Sequence, residues 1–264
     1  MKARSILSVL VLLSYQAVYA DERPTIEMRI GGYLTEFNSE LQINDSADAP
    51  GTDNDLEDEL DMDDGLEEVR LDLRWRFAPK HAVDFAYYDI SRTGRRVIDR
   101  QLEIGDETYV IGTNLSSSLD FEVYKVSYAY AFAQSQASET ALSFGLHMID
   151  MSFQTKGRLL GLPVDRQSSE VLAPLPVVGF QYARQLSDRF MFSVDVDLFA
   201  LEYDDYKGSL WDASAILDFA LTDNVGAFIG YNFVELSIES DDEDFLGEVD
   251  YQYGAVTAGI KLTF

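Results

Sequence analysis

Two histidines and no cysteine narrow the chemistry open to this chain of 264 residues. Without a thiol there is no disulfide and no thiolate to act as nucleophile or metal ligand. Acid–base work near neutral pH would fall to His81 or His147. His81 closes the turn-like stretch Ala78-Pro-Lys-His81, where an imidazole caps the chain or faces water. His147 is out of phase with Leu142, Phe144 and Leu146, so on a strand it leaves their apolar face and points inward, near Ser143 or Asp150. A buried histidine–acid pair can move protons. Its commoner use is a hydrogen bond that fixes packing, and we expect no enzyme.

Carboxylates are abundant. The segment 45–64 holds Asp45, Asp48, Asp53, Asp55, Glu57, Asp58, Glu59, Asp61, Asp63 and Asp64. The spacing Asp53-x-Asp55-x-Glu57 is that of the first ligands of a calcium loop. Position six is Asp58, however, where the sharp turn of such a loop needs glycine. No specific metal site or cofactor follows. Asp53, Asp55, Glu57, Asp58, Glu59 and Asp61 read as an acidic loop that gathers divalent cations weakly, or as a solvated one.

A third set of charges alternates with apolar residues. Arg70, Asp72, Arg74 and Arg76 interleave with Val69, Leu71, Leu73, Trp75 and Phe77. The same period of two runs through Phe190–Ala200, Trp211–Leu221, Tyr124–Phe132 and Val256–Phe264, the signature of a β wall with one apolar face. These runs exceed the usual strand of a soluble sheet and suit tilted spans of a bilayer.

Connection lengths separate a barrel from a sandwich. Long connections near 45–65, 93–118, 155–171, 203–209 and 240–249 alternate with short ones at 78–81, 133–139, 185–188 and 222–224. Outer-membrane barrels show this parity, with short periplasmic turns and longer external loops. The expected fold is an all-β, closed antiparallel transmembrane barrel of about ten strands, both termini on the short-turn side. Eight and twelve are the neighbouring even counts. Twelve would follow if the hairpin around Gly105-Asp106 spanned the bilayer, but charges on both its faces make it an external extension. Pro174 and Pro176 are placed at the outer rim, where strand pairing fails.

In that barrel the lumen is lined by Glu27, Arg29, Glu68, Arg70, Asp72, Arg74, Arg76, Asp84, Lys125, Asp195, Asp197, Asp212, Asp218 and Lys261, with His147 among them: eight acids against six bases. So narrow an interior is either a salt-bridged structural plug or a water-filled pore of poor ion selectivity. Aromatics near the short turns (Trp75, Phe77, Phe85, Tyr130, Phe132, Phe180, Tyr182, Phe190, Phe192, Phe219 and Phe264) form one interfacial girdle. Tyr124, Phe153, Tyr203, Trp211 and Phe233 form a looser second one.

The first twenty residues read as a cleaved export signal. Lys2 and Arg4 precede the apolar Ile6–Leu13, and Ala17-Val18-Tyr19-Ala20 then supplies small residues at the −3 and −1 positions before Asp21. Residues 21–264 are then one barrel domain. Without Lys2 and Arg4 the formal charge falls from −27 to −29, which repels nucleic acid and favours cations or basic partners.

The terminal run ending on Phe264 resembles the C-terminal signature of bacterial outer-membrane barrels, which implies recognition by the barrel assembly machinery. Several segments together resemble a family of proteobacterial outer-membrane β-barrel proteins without an assigned activity. They are Asp55–Leu60, Trp75-Arg-Phe-Ala-Pro-Lys-His81, Ile104-Gly-Asp106, Glu122–Tyr130, Gly145-Leu-His147, Ala173-Pro-Leu-Pro-Val-Val-Gly179 and Asp204-Asp-Tyr-Lys-Gly-Ser-Leu210. The resemblance implies a Gram-negative outer-membrane barrel among lipid and lipopolysaccharide, and no catalytic residue. No pattern matches the omptin proteases or the His–Ser pair of lipid A deacylases. The expected role is a small non-enzymatic barrel, structural or weakly pore-forming. The alternative is an adhesion barrel whose acidic loops bind divalent cations or a partner.

Overall fold

The computed structural model describes residues 23–43, 54–63, 67–104, 107–160, 162–203, 206–241 and 246–264. The expected export signal, and Asp45, Asp48, Asp53 and Asp64 of the acidic segment, lie outside these residues.

In chain order the elements are β1 (Ile26–Ile43), β2 (Asn54–Asp55), α1 (Leu56–Leu60), β3 (Glu67–Ala78), β4 (His81–Val97), β5 (Leu102–Ile104), β6 (Glu107–Tyr109), β7 (Asn114–Gln134), β8 (Ser138–Leu159), β9 (Leu162–Gln185), β10 (Phe190–Tyr203), β11 (Tyr206–Ala220), β12 (Val225–Asp241) and β13 (Leu246–Thr263). Each long strand pairs antiparallel with its neighbour, and β13 returns to β1 from Glu27↔Thr263 to Ile43↔Gly247. Ten strands therefore close a barrel. The two-residue β2 is appended to β1, and β5–β6 form a separate hairpin outside the wall.

The wall presents its apolar side outward. Leu34, Val69, Ile229 and Ile260 are each more than half exposed, and Trp75, Phe77, Phe144, Phe180 and Trp211 share that outer face. A soluble sheet would bury such a belt; a continuous apolar band facing out marks a surface solvated by lipid. No helix among the described residues is long and apolar enough to cross a membrane, and the strands make the crossing.

Above the belt the pattern turns inside out. Along β1 the outward residues change from Ile30 and Leu34 to Glu36, Asn38 and Glu40, while Tyr33, Phe37 and Leu41 become buried inside. Along β7 the outward Tyr128, Val126 and Tyr124 give way to Glu122 and Asp120, with Val123, Phe121 and Leu119 buried. β8 repeats this from Phe144 and Met148 to Asp150, over buried Ile149, Met151 and Phe153. One barrel thus has a lipid-facing base and a water-facing head with its own apolar core.

This inversion explains two differences from the sequence reading. The stretches 155–171, 203–209 and 240–249 are largely strand: β8 runs to Leu159 and β9 starts at Leu162, turning through Leu160 at φ 51°. Those connections are long because the wall continues past the belt. Phe153 is 1% exposed and belongs to the head core rather than to an interfacial girdle. Pro174 and Pro176 pair with Met148 and Leu146 of β8, but the ladder from β9 to β10 ends at Val178↔Leu198. The prolines are therefore not at the outer rim, as the sequence suggested, but within β9, past the end of its pairing with β10, while pairing with β8 continues outward to Leu162.

Candidate functional site

The interior divides into two storeys. At the short-turn end lies a vestibule of about 1140 Å³, open at its mouth, where residues of segments 134–139, 182–193 and 218–226 line the rim with Arg23, Pro24, Thr263 and Phe264. The lumen residues singled out from sequence, Arg29, Arg70, Asp72, Arg74, Arg76, Asp84, Lys125, His147, Asp195, Asp197, Asp212, Asp218 and Lys261, all line it.

Most are paired in short clusters. Arg29 holds Asp218 through both nitrogens at 3.0 and 2.7 Å, and Lys261 joins Asp218 at 3.1 Å to Glu27 at 2.7 Å. Arg74 grips Asp84 at 2.7 and 3.0 Å and also donates to Gln181, which in turn donates to Asp84 at 3.0 Å. Such two-point guanidinium–carboxylate pairs fix orientation as well as charge. Arg76 bonds Glu139 at 3.0 Å, with Gln134 donating to the same carboxylate at 2.9 Å.

Higher up, Arg70 pairs with Asp72 at 2.7 Å, donates to the Tyr33 hydroxyl and lies 5.1 Å over the Tyr88 ring. Lys125 pairs with Asp212. His147 is buried, with Nε2 3.2 Å from Asp197 and Nδ1 3.9 Å from Asp212. Its partners come from β10 and β11 across the lumen, while Asp150 faces outward on β8. Ser143 Oγ stands 3.5 Å from the same Asp197. Gly179 makes room for that meeting, since a Cβ there would collide with both Asp197 and Ser143.

The storey above is closed. Phe121 and Tyr251 stack with centroids 4.3 Å apart, Phe37 lies against Tyr251 and Tyr253, and the Tyr253 hydroxyl donates to Tyr88 at 3.1 Å. Leu56 and Leu60 of α1 and Leu102, Ile104 and Tyr109 of the β5–β6 hairpin cap this layer, all buried. An ion pair is embedded at its edge, its arginine fully buried and its glutamate 16% exposed. Arg92 is fully buried; it donates to Ser39 Oγ at 2.7 Å and the Asp63 carbonyl at 2.8 Å, pairs with Glu57, and lies 4.3 Å over Phe37. Gly94 lets the segment after α1 lie on the wall, because a Cβ would strike the Leu60 carbonyl.

The described part of the acidic segment, residues 54–63, is therefore built into the head. Asp55 caps α1 by accepting from Asp58 N at 2.7 Å, Glu57 holds Arg92, and Glu59 pairs with Arg100, whose guanidinium that hydrogen bond holds above its ordinary pKa. Asp58 and Asp61 are exposed, the latter as the left-handed cap residue at φ 53°. Among the described residues no group of three or more His, Cys, Asp or Glu is arranged to hold a metal. His81 sits on the lipid-facing side, its Nδ1 2.6 Å from the Tyr128 hydroxyl and its ring beside Tyr130. Phe264 is exposed at the short-turn end, its carbonyl accepting from Thr25 and Ile26 at 2.8 and 3.0 Å.

Sequence reasoning missed Arg92, Glu139, Gln181 and the tyrosines Tyr33, Tyr88 and Tyr253. Parity would have found Arg92, which follows Asp84, Tyr88 and Ile90 on the inward face of β4.

No family model and no curated protein sequence matches this chain. Solved structures do. The outer membrane protease OmpT of Escherichia coli superposes with a TM-score of 0.59 at 10% identity, covering 90% of this chain and 96% of that one. The transport unit of the autotransporter AIDA-I of Escherichia coli gives 0.45 at 10% identity over 95% and 94%. Ail of Yersinia pestis, in complex with a heparin analogue, gives 0.36 at 10% identity over 90% and 99%. The chain has the fold of an outer-membrane β-barrel. At these identities the likeness speaks for the fold alone.

Proposed function

We propose that this protein is a non-conducting, non-enzymatic outer-membrane barrel of a Gram-negative cell that presents its acidic head to the outside. The short turns and the vestibule then face the periplasm. The observation that carries the reading is the turn-over of interior polarity: charged and open below, aromatic and closely packed above. A pore needs a continuous polar path, and the layer of Phe37, Phe121, Tyr251 and Tyr253 interrupts it. This favours the structural or surface-interaction role over weak pore formation.

The head suits docking because it is a strand scaffold rather than a set of loops. Its outward face carries Glu36, Glu40, Asp89, Asp120, Glu122, Asp150 and Glu235, a field that draws basic partners or divalent cations near lipopolysaccharide phosphates. Barrel assembly machinery would read the exposed Phe264 end. The histidine–acid cluster lies below the plug, beyond reach of an external substrate, which weighs against the proteolysis for which OmpT is named.

Planar-bilayer recording tests the reading. Purified, heat-modifiable protein should give no steady conductance at any voltage. Stable ohmic steps that vanish when Phe121 is enlarged to Trp would overturn it.

A further inference from the structure

The vestibule wall carries one patch that the ion-pair clusters leave unused. Asp195 on β10 lines the cavity and makes no ion pair or hydrogen bond with any described residue. Two residues earlier on the same face, Ser193 is 7% exposed and its buried Oγ has no partner among the described residues. Directly across from Asp195 on β11 stands Ser214, also lining the cavity and equally unengaged among the described residues. Opposed residues on adjacent strands bring their Cβ atoms to about 5 Å, and next-but-one residues on a strand to about 7 Å. Three polar groups therefore stand within about 8 Å of one another on the cavity wall.

The charges around the patch are already committed. Arg74 and Arg29, the guanidinium groups whose charge Asp195 feels, are each held at two points, by Asp84 and by Asp218. Asp197, the next inward residue of β10, has the buried His147 as its partner. Asp195 is thus a carboxylate deep in the cavity with no ion pair among the described residues. An unpaired charge in a recess of a protein is unfavourable to the fold, and an orphaned hydroxyl adds to that. Unpaired groups of this kind stand where a ligand supplies the missing partner.

We propose that the vestibule binds a primary alkylammonium group entering from the short-turn mouth, with Asp195 as counter-ion and the hydroxyls of Ser193 and Ser214 as hydrogen-bond acceptors. An ammonium has three donors and no acceptor, which matches one carboxylate and two hydroxyls. The mouth leaves space for the rest of an amine-bearing molecule to extend toward solvent.

Titration calorimetry in detergent micelles, with putrescine as the probe, tests this. Wild type should bind saturably, Asp195→Asn should weaken binding about tenfold or more, as expected for losing a charged hydrogen bond, and tetramethylammonium, which has no N–H, should not compete. The unfolding midpoint supplies a second readout. Asp195→Asn should leave it unchanged or raise it, because no native contact is lost, whereas a structural carboxylate would lower it. Absence of saturable putrescine binding by wild type, equal binding by the variant, or a lowered midpoint would each overturn the proposal. Retained heat-modifiable migration shows that the variant is folded.

Discussion

In the lower half of the barrel, interior charges line an open vestibule; in the upper half a fully buried arginine meets its carboxylate among aromatic rings. Arg29 and Asp218 keep 17% and 6% of their side-chain surface exposed, whereas Arg92 keeps none and its partner Glu57 16%. The same chemical contact therefore carries different weight. Water beside the lower pairs screens them and takes up the slack if one partner is lost. In the upper half Arg92 has no solvent contact, and the carboxylate it leaves behind keeps, among the described residues, only Ser39 as a donor and little water to turn to.

The largest expected effect follows from that contrast. Arg92→Met should cost about 3–5 kcal/mol of stability by leaving Glu57, whose side chain is only 16% exposed, without its counter-charge, read from urea unfolding followed by fluorescence of Trp75 and Trp211. Adding Glu57→Gln should recover most of the loss. A deficit below about 1 kcal/mol would show that the head does not depend on this pair.

Next comes the boundary between belt and head, which β12 crosses. Ile229→Arg places a charge on the lipid-facing base and should cost about 2–4 kcal/mol. Glu235→Arg, on the same outward face but above the inversion, should change stability by no more than about 0.5 kcal/mol. Equal costs in reversible folding into vesicles would erase the boundary.

Arg29→Gln should be milder, about 1–2 kcal/mol, since Lys261 still holds Asp218. Its effect should shrink as salt is raised, and that of Arg92→Met should not. The smallest effect is a gain. Asp89, Glu122 and Asp150 stand directly opposite one another across β4, β7 and β8, and like charges so placed repel. Asp150→Asn should stabilise by about 0.2–1 kcal/mol in thermal melts.

How much of this was legible in the sequence depends on which half is considered. In the base, apolar residues face lipid and charges face the lumen, so alternation alone places Arg29, Arg74, Asp84 and Asp218 inside. In the head the assignment of faces reverses while the period stays two. Periodicity carries no label for which face is inner, so Phe153 reads as an outer girdle residue and Arg92 goes unmarked just before an expected loop. The acids of 53–61 look like a solvated run for a related reason. Spacing cannot show that Asp55 caps a short helix or that Glu57 finds an arginine 35 residues away. The cross-barrel meeting of His147 with Asp197, 50 residues on, is set by closure rather than by any local motif.

The central claim, a vestibule that opens only at the short-turn end, is best tested by thiol labelling, since the chain has no cysteine of its own. Ser127→Cys puts one thiol in the vestibule wall, and Ser117→Cys puts one in the sealed head. With a charged maleimide too large for general porins, the account predicts that the thiol at position 127 reacts when the periplasm is opened and stays unreacted in intact cells, while the thiol at position 117 stays unreacted from both sides. Labelling of the vestibule thiol in intact cells would contradict it, because it would require a path through the head.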